Sequence, residues 1–265
     1  METRLFTRLA KGELALGCLT VTGSANLIEI MAFAGLDYVI IDQMFTEIDW
    51  GTAAHMIRAA KGAGITPLIR TEANPWVGGA GSNVPVVAAR ALSLGCGGIM
   101  ASVSTREQVE QLIEIGRDWH RGIQVIPFTP QDFPDYQRRV AEGTLVIPIL
   151  ESLEAFNQLE SIIATPGLKA VFLALGDACR LLGRPFEYEH PDVWALLDRA
   201  VAAARRHGVV ISSNNGFAFA DWDAMIQRAK RLHDRGVQMV MLQTPEFLLQ
   251  VACRTVVDGV RRLVD

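Results

Sequence analysis

Two strand-like runs near the middle of the chain each end in a carboxylate. Thr144–Leu150 runs into Glu151, and Lys169–Gly176 runs into Asp177. Short runs of β-branched and large apolar residues, closed by a polar residue and followed by helical spacing, have the pattern of buried parallel strands and their exit loops. Two acids delivered to one end of a sheet can hold a hard divalent cation through oxygen. The alternative is that Ser152 or Asp177 merely caps the helix that follows.

Other polar residues fall at equivalent places. Strand ends carry Thr20, Thr22 and Ser24, then Asp42 and Gln43, Arg70, Ser102, Glu151 and Ser152, Asp177, Ser212 to Asn215, and Gln243 with Thr244. Arg70 follows Pro67-Leu68-Ile69, so its stem starts in the core and its guanidinium must emerge beside the acids, suited to clamp a carboxylate or a developing enolate. The competing reading is a plain ion pair between Arg70 and Asp42 on neighbouring strands. The turn Gly176-Asp177-Ala178 precedes a short helical stretch, Cys179–Leu182, so its N–H groups could face an anionic ligand. None of the five histidines falls at a strand end, and His207 and His233 suit helix C-termini. No Ser-His-Asp or Cys-His arrangement is readable, and Gly78-Gly79-Ala80-Gly81 does not open a helix after a strand as a phosphate cradle would.

The elements that must position these residues alternate along the chain. Strand-like runs at 14–21, 38–41, 66–69, 98–101, 145–150, 170–175, 209–212 and 237–242 are followed by helical spacing at 27–34, 52–63, 84–94, 106–117, 154–163, 192–207, 222–235 and 247–263. Eight βα units in one chain of 265 residues predict a single (β/α)8 barrel domain spanning 1–265. A doubly wound sheet is the alternative. Strand C-termini then converge on one mouth, which gathers the polar residues into a site. Two connections are long, Ala73–Pro85 and Gly122–Gly143, and the first carries Trp76 among glycines, as a lid would.

Half the residues are apolar, 20% are charged and the net charge is −4, which fits a globular protein with a large core. There is no long basic run, so no nucleic-acid partner is expected. No apolar run reaches the roughly 18 residues of a membrane span, and the first residues lack a signal peptide's apolar stretch, so a cytoplasmic protein without membrane attachment is expected. Cys18, Cys96, Cys179 and Cys253 have no paired spacing and read as buried small hydrophobes.

From Leu16 to about Leu249 the sequence resembles the HpcH/HpaI-type metal-dependent 2-oxo acid aldolases, which include 4-hydroxy-2-oxoheptanedioate aldolase and 2-dehydro-3-deoxyglucarate aldolase. The carrying stretches are Gly35–Asp42, Pro67–Arg70, Ala91–Gly95, Leu150–Ala155, Val171–Asp177 with Leu182-Gly183, and His190–Val193. The resemblance implies a (β/α)8 barrel and a magnesium, manganese or cobalt ion held by Glu151 and Asp177. That ion would take the oxo and carboxylate groups of pyruvate, with Arg70 stabilising the enolate and the aldehyde oxygen. The resemblance also implies a homo-oligomer, hexamer or trimer, in which last helices are exchanged. Asp42, at the neighbouring strand end, is read as an orienting or water-positioning acid. From the strand ends and the turn after the sixth strand, substrate contacts are expected from Gly176, Asp177, Ser152, Gln43 and Gln243.

The sequence departs from the family's pattern at Ile149, at Ala174-Leu175, in an inserted loop Ala73–Gly81, at Arg121-Gly122, and in one pair of positions that bears on proton transfer. The family's catalytic histidine falls at Phe45, and the aspartate that partners it falls at Ser93. The candidate replacement bases are Glu47, which is preferred, and Asp49 just downstream. The expected activity is therefore a carbon–carbon lyase acting on a 2-oxo acid through a pyruvate-type enolate, with a divergent substrate. The rivals are decarboxylation of an oxaloacetate-type 2-oxo diacid and a barrel without catalysis.

Overall fold

The computed structural model describes residues 4–71, 84–118, 129, 132–216 and 221–264. Eight parallel strands close into a barrel in chain order, β1-β2-β3-β4-β5-β6-β7-β8, and the last pairs with the first. The closure excludes a doubly wound sheet. The strands are β1 (Ala15–Thr20), β2 (Tyr38–Asp42), β3 (Thr66–Arg70), β4 (Gly98–Ser102), β5 (Leu145–Leu150), β6 (Ala170–Leu173), β7 (Val210–Asn214) and β8 (Met239–Met241).

Side chains of successive strand residues face opposite ways, and this period of two divides the core. Leu19, Tyr38, Ile40, Leu68, Met100, Ile147, Ile149, Phe172 and Met239 fill the barrel interior. Their neighbours in sequence, such as Val39, Ile41, Ile69, Ile99, Val171 and Val240, pack against the surrounding helices. Gly17 belongs to the interior set because a Cβ there would stand 2.4 Å from the Tyr38 ring, so the small residue on β1 makes room for the large one on β2.

The helices that follow the strands are α2 (Ala25–Phe33), α3 (Trp50–Ala63), α4 (Val84–Ser93), α5 (Arg106–Asp118), the pair α7 (Leu153–Asn157) and α8 (Leu159–Ile163), α9 (Leu175–Leu181) with α10 (Pro191–His207), α11 (Trp222–Arg235) and α12 (Pro245–Val264). Two further helices were not expected: α1 (Arg4–Ala10) and α6 (Phe133–Glu142), the latter inside the long connection before β5. Leu5 of α1 is fully buried in the interior cluster, so α1 plugs the barrel end opposite the strand C-termini. Arg8 fixes it there through Asp37 at 2.8 Å.

Three expectations need correction. The single helix over 154–163 is two short helices meeting at Gln158. Strand β6 stops at Leu173 and α9 begins at Leu175, so Asp177 stands in the first turn of a seven-residue helix, not at a strand end or in a turn. Cys253 is exposed on α12, whereas Cys18, Cys96 and Cys179 are buried. Burial pushes the Cys18 thiol up to about 11 and the Cys96 thiol to about 12, which keeps both protonated. No helix among the described residues is long and apolar enough to cross a membrane.

Candidate active site

Strand alternation decides which of the polar residues reach the mouth. Asp42 continues the interior series Tyr38, Ile40; Arg70 follows Leu68; Ser102 follows Met100; and Glu151 follows Ile147 and Ile149. All four therefore stand at the C-terminal opening of the barrel. The register Asp42↔Arg70 places those two side by side.

Arg70 donates from Nε to Asp42 Oδ1 at 2.8 Å and from Nη2 to Asp42 Oδ2 at 2.7 Å. Asp42 is fully buried and also accepts from the Met44 N–H at 2.8 Å. A bidentate pair of this kind fixes the guanidinium plane and leaves Nη1 outside the pairing. The ion pair foreseen as an alternative to an active-site arginine is thus present, and it orients Arg70 without using all its donors.

Glu151 lies beside this pair. Its Oε1 accepts from the Ser102 hydroxyl at 2.5 Å, and its carboxyl is held above the usual carboxylate range, first by burial and then by the nearby Asp177 carboxylate. Ser102, Arg70 and Arg180 act in the opposite direction. A carboxyl whose proton affinity is raised by a neighbouring carboxylate is a place where added positive charge is favoured. Both are hard oxygen donors, and among the described residues no three His, Cys, Asp or Glu side chains are placed to hold a metal ion together. The donor set thus fits a magnesium-like ion that completes its shell with water or substrate oxygens. Asp177 also meets Arg180 at 3.3 Å on the exposed side of α9.

The start of α9 is held from β7. Asn214 Oδ1 accepts from the Leu175 N–H at 3.1 Å, and the Ser213 hydroxyl donates to the Leu173 carbonyl at 2.8 Å. These bonds set where the helix carrying Asp177 begins. Gly176 lies in the same turn, close to Tyr188 and Asn214.

Two residues expected at the substrate stand elsewhere. Gln43, one residue after Asp42, points to the helix layer, where its Nε2 donates to the Ile48 carbonyl at 3.2 Å. Ser152, one residue after Glu151, caps α7 by accepting from the Ala155 N–H at 3.0 Å. The reason is the alternation that sends their neighbours inward. Gln243 is buried with its amide on the Gly216 carbonyl, so it ties β8 to the end of β7.

Phe45 is 69% exposed, with its ring centroid 5.2 Å from the Arg70 guanidinium carbon. Ser93 is a residue of α4 and donates to Ala89 of the same helix. Glu47 is exposed two residues beyond Phe45. The lid expected at Trp76 lies outside the described residues.

Sequence reasoning missed Glu246, in the first turn of α12. Its Oε1 accepts from the Thr20 hydroxyl and from the Thr22 N–H, both at 3.0 Å, closing the barrel seam between β8 and β1 at the mouth. The available signal was Pro245-Glu246, a proline followed by an acid at a helix start.

A family model described as HpcH/HpaI aldolase/citrate lyase matches residues 17–245. The chain belongs to that family. The HpcH/HpaI family comprises carbon–carbon lyases that act on 2-oxo acids, and the matched stretch takes in all eight strand ends. Among its relatives, a 2-dehydro-3,6-dideoxy-6-sulfogluconate aldolase of Pseudomonas putida is 26% identical over 207 residues, which are 76% of this chain and 78% of the relative. A 5-keto-4-deoxy-D-glucarate aldolase of Salmonella paratyphi A is 25% identical, covering 76% and 77%. Among solved structures, an HpcH/HpaI aldolase from Desulfitobacterium hafniense superimposes with a TM-score of 0.81 at 23% identity, covering 98% and 97% of the two chains. The citrate synthase SbnG gives 0.79 at 22%, covering 98% of each. At these identities the structures support the fold.

Proposed function

We propose that this protein is a divalent-metal-dependent lyase that makes or breaks the carbon–carbon bond next to a 2-oxo acid through a pyruvate-type enolate, with a substrate divergent from those of its relatives. The observation that carries the proposal is the convergence of an oriented arginine, Arg70, on the half-buried Glu151 carboxylate, whose proton affinity the neighbouring Asp177 carboxylate raises. Those two acids would hold the ion, which supplies Lewis-acid polarisation of the 2-oxo group when bound.

The protein's own groups do the rest. Arg70, locked by Asp42, presents fixed positive charge where negative charge develops on the enolate and aldehyde oxygens, an arrangement that costs no reorganisation during reaction. Asp42 acts as a positioning residue, since both its oxygens are occupied by Arg70 and the Met44 N–H. In the cleavage direction a base removes the proton of the 4-hydroxyl, the bond between C3 and C4 breaks, an aldehyde leaves and the enolate is protonated to pyruvate. Phe45 cannot serve as that base, and Glu47 is the carboxylate nearest to it in sequence.

The absence of an imidazole at position 45 favours a second reading, decarboxylation of an oxaloacetate-type diacid. That reaction reaches the same enolate by loss of carbon dioxide and needs no base. A non-catalytic barrel is the remaining rival.

Manganese titration tests the site directly. One site per chain is expected, with affinity falling sharply in Glu151→Gln and in Asp177→Asn, and unchanged binding in both variants would remove the basis of the proposal. Identification of products from a 4-hydroxy-2-oxo acid and from oxaloacetate then separates the two reactions. The single-domain organisation over 1–265, a cytoplasmic location and assembly into a trimer or hexamer belong to the same proposal. The apolar face left open on α12 supports the assembly.

A further inference from the structure

From the sector of the mouth formed by β1 and β2, we infer that the carbonyl partner joined to, or released from, the 2-oxo acid is apolar, and that Phe45 selects it. This inference rests on the lyase reading above and deepens it by naming the class of the second substrate.

The polar groups of this sector are largely occupied by one another. The Thr20 hydroxyl and Thr22 N–H are taken by Glu246. The Asp42 carboxylate is taken by Arg70 and the Met44 N–H, and the Thr46 hydroxyl donates to the Asp42 carbonyl. The large side chains of this sector left facing solvent without a polar role are Val21 and Phe45. Val21 lies two residues beyond Leu19, an interior residue, so alternation carries it to the mouth, where it is exposed.

Phe45 stands at the same rim, with the Arg70 guanidinium near its ring and most of its surface open. Exposed apolar side chains at the edge of a polar cleft mark a surface that gains by covering. The Arg70 contact holds the ring over the group that would face the new carbonyl oxygen, so an alkyl or aryl tail attached to that carbonyl would lie along Phe45 and Val21. A tail ending in a carboxylate would instead bring negative charge to a rim that already carries the exposed Glu47 carboxylate and Glu246.

The experiment uses the full chain loaded with manganese, pyruvate as donor, and hexanal, glycolaldehyde or succinic semialdehyde as acceptor. Carbon dioxide release from oxaloacetate is measured in parallel as an acceptor-independent readout, with Glu151→Gln as the control for decarboxylation by free manganese. The expected result is a kcat/KM for hexanal about ten-fold or more above that for either polar acceptor, the discrimination typical of a small apolar contact. Phe45→Ala should lower the hexanal-to-glycolaldehyde ratio by about ten-fold, while Phe45→Leu, which keeps an apolar side chain, should retain most of it. Equal or higher efficiency with succinic semialdehyde, or a ratio unmoved in Phe45→Ala, would overturn the inference while leaving the lyase reading standing. Absence of both condensation and enzyme-dependent decarboxylation would overturn the lyase reading, and the inference with it.

Discussion

Glu151 shows how a residue can weaken a fold while serving its chemistry. Its folded-state carboxyl lies above the ordinary value because of burial and Asp177, so the folded form binds a proton more tightly than the unfolded chain does. The stabilising contribution of that proton is fully present below the unfolded-state value and is lost as pH rises through the folded-state value. Without metal, Glu151→Gln should therefore raise the melting temperature at neutral pH, and manganese should no longer raise it further. A melting curve with and without manganese checks both halves, and a lower melting temperature in metal-free Glu151→Gln would contradict the electrostatic account. Proton and cation compete for Glu151, so manganese affinity should strengthen as pH rises through the same range. Arg70→Ala should leave manganese affinity close to that of the parent and reduce turnover by about 100-fold, as for loss of one charge-stabilising donor. Full turnover in that variant would exclude Arg70 from the reaction.

At the scale of elements, the site depends on how neighbouring strands and helices are fastened. Helix α9 is too short to hold Asp177 by its own cooperativity, and its first N–H is tied to Asn214 on β7. Asn214→Ala should weaken manganese binding by about five-fold, the effect of one lost hydrogen bond acting through position, with the overall melt little changed. Calorimetric titration reads it, and an affinity equal to that of the parent would show that α9 is placed by packing alone. The barrel interior has its own test in Gly17. An alanine Cβ would meet the Tyr38 ring at 2.4 Å, so Gly17→Ala should cost about 1–3 kcal/mol in urea unfolding.

For the whole molecule, α12 carries the longest run of open hydrocarbon among the described helices. Leu249, Val256, Val257, Val260 and Leu263 are exposed along it, and within the helix only Pro245 and Val251 are buried. A 20-residue helix with this much open hydrocarbon needs a surface to lie against. A second copy of the chain meets that need, and Glu246 would link such packing to the mouth because it bonds to the β1 exit from the first turn of α12. Light scattering at micromolar concentration should give a trimer or hexamer, and Val256→Glu with Val260→Glu should lower the mass. A monomeric mass for the parent protein would refute the assembly.

Much of this protein was determined by local pattern. The eight strand-helix alternations, and the inward positions of Asp42, Arg70 and Glu151, follow from periods of 3.6 and 2 that any short window of sequence carries. The same period, counted one residue further, also sends Gln43 and Ser152 away from the mouth, a consequence legible in the sequence once the inward phase is known. Other features depended on the tertiary structure. The start of α9 at Leu175, the bond from Thr20 to a carboxylate 226 residues later, and the placement of Phe45 over Arg70 each arise where separate segments meet. No local periodicity records such meetings, because their energy lies in contacts between segments and not within either one. Helix α1 escaped notice for a related reason: seven residues are too few to show a helical period, and it is the open end of the finished barrel that gives Leu5 a place to be buried.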